Sequence, residues 1–136
     1  MLSLIQRVAL PLVLLLAGPA LADNAISPAD MAALLHKEPA PLVLDVRSQS
    51  EFAEGHLPGA RLIPHDELDQ RLTELGPPRD IYVYCRSGRR AKLAADVLAD
   101  AGFRVHEIEG SYLAWQEAKL PIEMPTQDDS NQESKQ

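Results

Sequence analysis

Apolar runs of strand length alternate with segments of helical periodicity along most of the chain. Residues 42–46 and 81–84 are nearly continuous apolar runs, the pattern of strands buried on both faces. Shorter runs predict strands over 60–63 and 103–108, and helices are predicted over 29–37, 67–75, 89–101 and 111–118. This alternation is typical of an α/β fold, in which helices cover both faces of a parallel sheet.

Polar residues mark where several of these helices begin. Ser27 followed by Pro28 has the sequence of an N-cap and a first helical residue. Ser48 and Glu51 have the spacing of a capping box and predict a short helix after residue 48. We interpret Glu51 as this cap only. Gly102 predicts the end of the helix over 89–101.

The two ends of the 136-residue chain differ from its middle. Residues 8–22 are almost wholly apolar, follow Arg7 and end in Ala-x-Ala, which predicts a signal peptide over 1–22, cleaved after Ala22. The run is too short for a stable membrane anchor, so a periplasmic or secreted protein is expected. Residues 125–136 form a polar segment that we expect to be disordered. One domain is therefore predicted over 23–124.

Composition excludes several classes of protein. A formal net charge of −7 argues against a general nucleic-acid binder, and 46% hydrophobic residues argue against a fully disordered chain. A single cysteine, Cys85, forms neither an internal disulfide nor a Cys-based zinc site. The histidines show no metal-ligand spacing, and no cofactor or metal is predicted. Cys85 is thus an inert core residue, an intermolecular handle or a reactive thiol.

The residues around Cys85 favour the reactive thiol. Cys85 lies between a predicted buried strand and a predicted helix, where unpaired backbone N–H groups and the helix dipole favour a thiolate. Gly88 allows the loop to curl around an anion. Residues 85–92 contain four basic residues and no acid, which suits a small anionic substrate: Arg86, Arg89, Arg90 and Lys92.

The pattern Cys85-x-x-Gly88-x-Arg90 resembles the active-site loop of single-domain rhodaneses, the thiosulfate sulfurtransferases. Residues 44–47 and 51–60 resemble two further motifs of that family, and residues 109–115 resemble its C-terminal motif. Ser111 stands where that motif usually has a second glycine, and we expect this to affect the local turn and not the chemistry. The resemblance covers about residues 27–120 and implies a rhodanese-like parallel sheet of about five strands.

The resemblance also implies a mechanism. Cys85 would attack the outer sulfur of thiosulfate, release sulfite and pass the sulfur of its persulfide to cyanide or a thiol. The substrate-binding residues would come from the loop: Arg86, Ser87, Gly88, Arg89 and Arg90. Alternatively, Arg90 does not bind substrate but faces inward, where it pairs with an acid and braces the loop. Asp45 and Arg47 are candidate pocket residues for which a structural salt bridge is the favoured role, and His56 is expected to brace a turn.

Two other functions remain open at this stage. The first is a persulfide carrier or docking domain without efficient turnover, since a carrier uses the same persulfide. The second is a cysteine-type phosphatase or arsenate reductase. Those enzymes place five residues between cysteine and arginine, whereas four separate Cys85 from Arg90 here. The shorter loop favours attack on sulfur over attack on phosphate.

Overall fold

The computed structural model describes residues 24–126, so the predicted signal peptide and nearly all of the predicted polar tail lie outside the described residues. The strands are β1 (Leu42–Asp45), β2 (Arg61–Leu62), β3 (Asp80–Tyr84) and β4 (Arg104–Glu107). The helices are α1 (Pro28–Leu34), α2 (Gln49–Ala53), α3 (Leu68–Arg71), α4 (Arg89–Asp100) and α5 (Ser111–Glu117). A 3-10 turn over Leu72–Leu75 continues α3.

The four strands form one parallel sheet in the order β2-β1-β3-β4. Beside the end of β4, Ile26 forms a single parallel bridge with Ile108. The backbone N–H of Ile26 donates to Glu107 over 2.9 Å, and that of Glu109 donates to Ile26 over 2.9 Å. The expected parallel sheet of about five strands is therefore confirmed. Four strands form the sheet, and the bridge at Ile26 extends it beside β4.

Each face of the sheet has its own apolar core. Leu44, Ile81 and Val83 point to one side and pack with α3 and α4. Val43 and Tyr84 point to the other side, where they pack with Met31 of α1 and Trp115 of α5. Strands buried on both faces explain the continuous apolar runs, and helices on both faces are confirmed.

The predicted helix caps are formed. The Ser27 hydroxyl accepts the backbone N–H of Asp30 at 3.1 Å, and Ser48 and Glu51 make both bonds of the capping box. The helix predicted over 29–37 ends earlier, at Leu34, because the N–H groups of His36 and Lys37 bond three residues back and tighten the chain into turns. None of the helices within residues 24–126 has the length and apolarity to cross a membrane.

The carboxyl ends of the strands bring distant segments together at one edge of the sheet. The backbone N–H of Val46, just after β1, donates to the carbonyl of Tyr84 over 3.1 Å. At the start of α5, the N–H of Tyr112 donates to the carbonyl of Cys85 over 3.0 Å. The loop between β3 and α4 therefore lies against the end of β1 and the beginning of α5.

Candidate active site

The sulfur of Cys85 lies inside the loop between β3 and α4. Cys85 is only 1% exposed, and its Sγ accepts the backbone N–H of Gly88 at 3.0 Å. Gly88 has φ 120°, a conformation that side chains rarely adopt, and a Cβ built there would have no neighbour closer than 4.0 Å. Backbone conformation, rather than crowding, therefore requires glycine at this position, as the sequence predicts.

Ser111 is the residue whose position the sequence did not reveal. It is 1% exposed, and its hydroxyl accepts the backbone N–H of Cys85 at 3.2 Å. The same hydroxyl lies 3.9 Å from the Cys85 sulfur. The chain reversal at Gly110 carries this side chain to Cys85, so its contacts extend beyond the turn, while the expectation that it leaves the chemistry unchanged stays a prediction. The departure from the family motif was the available signal.

Arg90 pairs with Glu51 rather than pointing into the loop. Its two terminal nitrogens bond the two carboxylate oxygens at 2.7 and 3.0 Å, and each side chain is 28% exposed. The Arg90 hydrogen bonds are the largest cause that lowers the pKa of Glu51 to about 2. The pair braces the start of α4 against α2, so the interpretation of Glu51 as a cap only is wrong.

Asp45 and Arg47 form the salt bridge that the sequence favoured. Arg47 donates to the carboxylate at 2.7 Å, and the side chains of Arg47 and Asp45 are 3% and 0% exposed. Arg47 also donates to the carbonyl of Gly55 at 2.7 Å, and its guanidinium lies 4.1 Å from the ring centroid of Tyr112. Burial is the largest single influence and lowers the pKa of Arg47, but the bonds and charge of Asp45 together with the interactions of Tyr84 and Tyr112 make the net shift upward.

The remaining cations of the loop are available to a ligand. Arg86 and Arg89 are exposed, as is Ser87, and neither arginine forms an ion pair within residues 24–126. Lys92 is likewise exposed. Because Glu51 neutralises Arg90, three of the four positive charges expected from the sequence have no acidic partner among the residues that the structure describes.

A cleft of about 500 Å³ lies beside this loop and is lined by Arg86, Arg90 and Tyr112, among others. A larger cavity of about 730 Å³ lies near the amino ends of β3 and β4, where Arg79 and Asp80 line it. The larger cavity shares no lining residue with the Cys85 loop. The chemistry of the loop therefore makes the smaller cleft the candidate substrate site.

The histidines lie away from the sulfur chemistry. The ring of His56 stacks on Phe52 with centroids 3.7 Å apart, and its Nδ1 is 3.1 Å from the Phe52 carbonyl, so it braces the turn after α2. His106 lies on β4 and contacts Asp80 at 2.8 Å. Within the described part of the chain, no group of three or more potential metal ligands is assembled.

Residues 27–118 match the family model of the rhodanese-like domain. Since this match covers more than half of the sequence, the chain belongs to the rhodanese-like domain family. The match includes the Cys85 loop and both segments that surround it, the end of β1 and the start of α5.

Individual proteins and solved structures agree with this family. An HTH-type transcriptional regulator of Mycobacterium tuberculosis is 39% identical over 127 residues, covering 82% of this chain and 56% of the regulator. A sulfurtransferase of Allochromatium vinosum is 36% identical over 85 residues, covering 62% of this chain and 79% of that enzyme. A crystal structure of the Alr3790 protein from Anabaena matches with a TM-score of 0.70 and 32% identity, over 80% of this chain and 90% of that one. Sulfur transfer is the general activity that these relatives support.

Proposed function

We propose that the protein is a thiosulfate sulfurtransferase in which Cys85 carries the transferred sulfur as a persulfide. The observation that carries the proposal is the backbone N–H of Gly88 aimed at the Cys85 sulfur over 3.0 Å. A backbone donor at this distance stabilises an anionic sulfur, and the nucleophile of the reaction is the thiolate. A buried core cysteine without function would need no such donor.

In the first half of the reaction, the Cys85 thiolate attacks the outer sulfur of thiosulfate. A new S–S bond forms, the bond between the two sulfur atoms of thiosulfate breaks, and its electron pair leaves with sulfite. The enzyme retains a persulfide with one negative charge on the outer sulfur. The donor that stabilises the thiolate is close enough to stabilise this anion as well.

Arg86 and Arg89 are the side chains we assign to binding the oxygens of thiosulfate. Both flank Gly88 in the loop and are exposed, and neither is neutralised by an acid within residues 24–126. Arg90 is excluded from this role by its two bonds to Glu51 and instead positions the loop. A divalent anion therefore meets two free guanidinium groups beside a sulfur that points into the loop.

In the second half, an acceptor anion removes the outer sulfur. Cyanide attacks that sulfur, the S–S bond of the persulfide breaks, and thiocyanate leaves while Cys85 returns as the thiolate. A thiolate acceptor would react in the same way and depart as a persulfide. No metal or cofactor is needed for either half because each step is a displacement at sulfur.

Intact-mass measurement after thiosulfate treatment tests the proposal. The wild-type protein is expected to gain one sulfur atom, and the gain should disappear on adding cyanide. The Cys85→Ser variant is the matched control and should gain none. A wild-type protein that gains no sulfur, or a Cys85→Ser variant that gains one, would contradict the proposed mechanism.

A persulfide carrier is separated from an enzyme by turnover. The unpaired charges of Arg86 and Arg89 favour direct use of free thiosulfate, so we expect repeated formation of thiocyanate from thiosulfate and cyanide. A carrier would load one sulfur from a partner protein and release little thiocyanate. Many turnovers per Cys85 support the enzyme, whereas a single turnover assigns the carrier role.

We further propose that the protein acts outside the cytoplasm, on the basis of the apolar run and Ala-x-Ala end in residues 1–22. Expression of the full chain in a bacterium, followed by fractionation and N-terminal sequencing, tests this. The expected mature protein begins at Asp23 and is found in the periplasm or medium. An intact N-terminus in the cytosolic fraction would refute it.

A further inference from the structure

Ser111 occupies a backbone conformation that is unfavourable for any residue with a side chain. Its φ is 54°, in the left-handed region that is unfavourable for L-residues and readily adopted by glycine. Glycine at this position would be free of that strain. Strained backbone persists where the surrounding structure imposes it, and it clusters at functional sites. The conformation therefore raises the question of what the Ser111 side chain contributes.

The hydrogen bonds of the Ser111 hydroxyl answer this question. A serine hydroxyl has one O–H to donate and two lone pairs that accept. The oxygen already accepts the backbone N–H of Cys85 at 3.2 Å. Within residues 24–126, the Cys85 sulfur at 3.9 Å is the one side-chain atom within hydrogen-bonding reach of the hydroxyl. The O–H is thus available to that sulfur.

The ionisation of Cys85 determines which of the two groups donates the hydrogen bond. A neutral thiol can donate its S–H to the serine oxygen or accept the serine proton. A thiolate or a persulfide anion has no proton to donate, so in either state the hydroxyl must be the donor. The backbone N–H that the oxygen accepts also polarises the O–H and strengthens its donation.

We propose that the Ser111 hydroxyl is a second donor to the anionic sulfur of Cys85, acting from α5 in addition to the Gly88 backbone N–H. This inference rests on the proposed role of Cys85 as the nucleophile. The two donors come from different segments of the chain, so the sulfur is held between the loop and α5. Through its bond to the Cys85 N–H, Ser111 also fixes the backbone from which the sulfur projects.

Charged groups around the site are the same with or without Ser111. Arg90 of α4 interacts electrostatically with Cys85 and is paired with Glu51 of α2. Asp45 and Arg47, at the end of the neighbouring strand β1, neutralise each other at 2.7 Å. A variant at position 111 changes none of these partners. Any change in the ionisation of Cys85 therefore reports on the hydroxyl or on the backbone that carries it.

Two variants at this position separate the hydroxyl from the backbone strain. Ser111→Ala removes the hydroxyl and keeps a Cβ at positive φ, whereas Ser111→Gly removes both. Lys119 is exposed and has the same φ of 54° away from the site, so Lys119→Gly is the matched control that relieves strain alone. Unfolding in urea verifies that each variant is folded.

The measurement is the rate at which iodoacetamide alkylates Cys85 as a function of pH, which needs no sulfur donor. In both Ser111 variants we expect the midpoint of the pH profile to rise by about 0.5–1 unit, so that roughly three- to tenfold less thiolate reacts below the midpoint. The full strength of a charged hydrogen bond is not expected because 3.9 Å is a long contact. Lys119→Gly should match the wild type.

Each other outcome overturns the inference. Unchanged midpoints in folded Ser111→Ala and Ser111→Gly would show that the hydroxyl does not donate to the anionic sulfur. A rise in only one of the two would assign the effect to the backbone, as would an equal rise in Lys119→Gly. If Ser111→Ala fails to fold, the comparison of Ser111→Gly with Lys119→Gly still decides, because both relieve the same φ and only the first removes the hydroxyl. If thiosulfate fails to load sulfur onto Cys85, the proposed function is refuted. The alkylation rates still test the Ser111 hydroxyl, because they need no sulfur donor.

Discussion

Replacing Glu51 by glutamine tests how strongly the ion pair between Glu51 and Arg90 stabilises the protein. Glutamine keeps the capping box with Ser48, because its amide oxygen accepts the same bonds. It removes the negative charge opposite Arg90 and replaces one of the two accepting oxygens by an amide NH2, which is a donor. The two pair oxygens lie 2.7 and 3.0 Å from the guanidinium nitrogens, so the loss of charge acts on both bonds.

The magnitude follows from the pKa of Glu51. Lowering that pKa from 4.5 to about 2 corresponds to about 3.4 kcal/mol as an upper bound, at about 1.36 kcal/mol for each pH unit. Both side chains are 28% exposed, so solvent screens part of this interaction. We expect Glu51→Gln to lower the free energy of unfolding at neutral pH by about 1–2 kcal/mol.

Urea denaturation at a series of pH values is the assay. The carboxylate has a lower pKa in the folded state, so its contribution is complete above about pH 4.5 and is lost as the pH falls towards 2. The difference between wild type and Glu51→Gln should be constant near neutrality and should shrink below about pH 4.5. Glu54→Gln, at an exposed acid without an ion pair within residues 24–126, is the matched control and should change stability by less than about 0.5 kcal/mol. An equal effect of both variants, or a difference that persists undiminished to pH 2, would refute the reasoning.

Three further predictions follow from the loop. Gly88→Ala should destabilise the fold by about 1–2 kcal/mol and reduce sulfur loading in the mass assay, whereas Gly76→Ala, also at positive φ but away from the site, should cost similar stability and load normally. Equal loading of both variants would contradict the role of the Gly88 N–H. Arg86→Gln and Arg89→Gln should each raise the KM for thiosulfate about tenfold, because each removes a charge-assisted bond. Arg79→Gln, at an exposed arginine away from the loop, is the control and should leave the KM unchanged. A KM equal to that of the control would show that the substituted arginine does not bind thiosulfate. Turnover of p-nitrophenyl phosphate should be negligible because the loop is one residue too short for a phosphatase.

The features that sequence predicts well are those set by neighbours in the chain. Ser27 with Pro28 and Ser48 with Glu51 are signals between residues at most three positions apart, and each begins a helix in the structure. The place of Cys85 follows from strand order, because parallel strands end at one edge of the sheet. Local rules were sufficient for these positions.

Contacts between distant residues are what sequence could not supply. Glu51 and Arg90 are 39 residues apart, and although the sequence offers Arg90 as an inward-facing brace, it does not identify the acid that pairs with it. Ser111 reaches Cys85 across 26 residues through a turn whose exact direction depends on packing of α5. Both contacts arise from how α2, α4 and α5 pack at the edge of the sheet, which periodicity does not encode.

The contacts of the segment after α5 determine how far the protein can be truncated from its C-terminus. The family match ends at residue 118, yet the indole N–H of Trp115 donates to the carbonyl of Pro121 at 2.9 Å. Further on, Glu123 exchanges two backbone hydrogen bonds with His56, at 2.8 and 2.9 Å. A chain cut at the family boundary would leave a fully buried tryptophan without its acceptor and the turn at His56 without its partner. A fragment that extends through Glu123 keeps these three hydrogen bonds, and we expect it to be more stable than one that ends at residue 118.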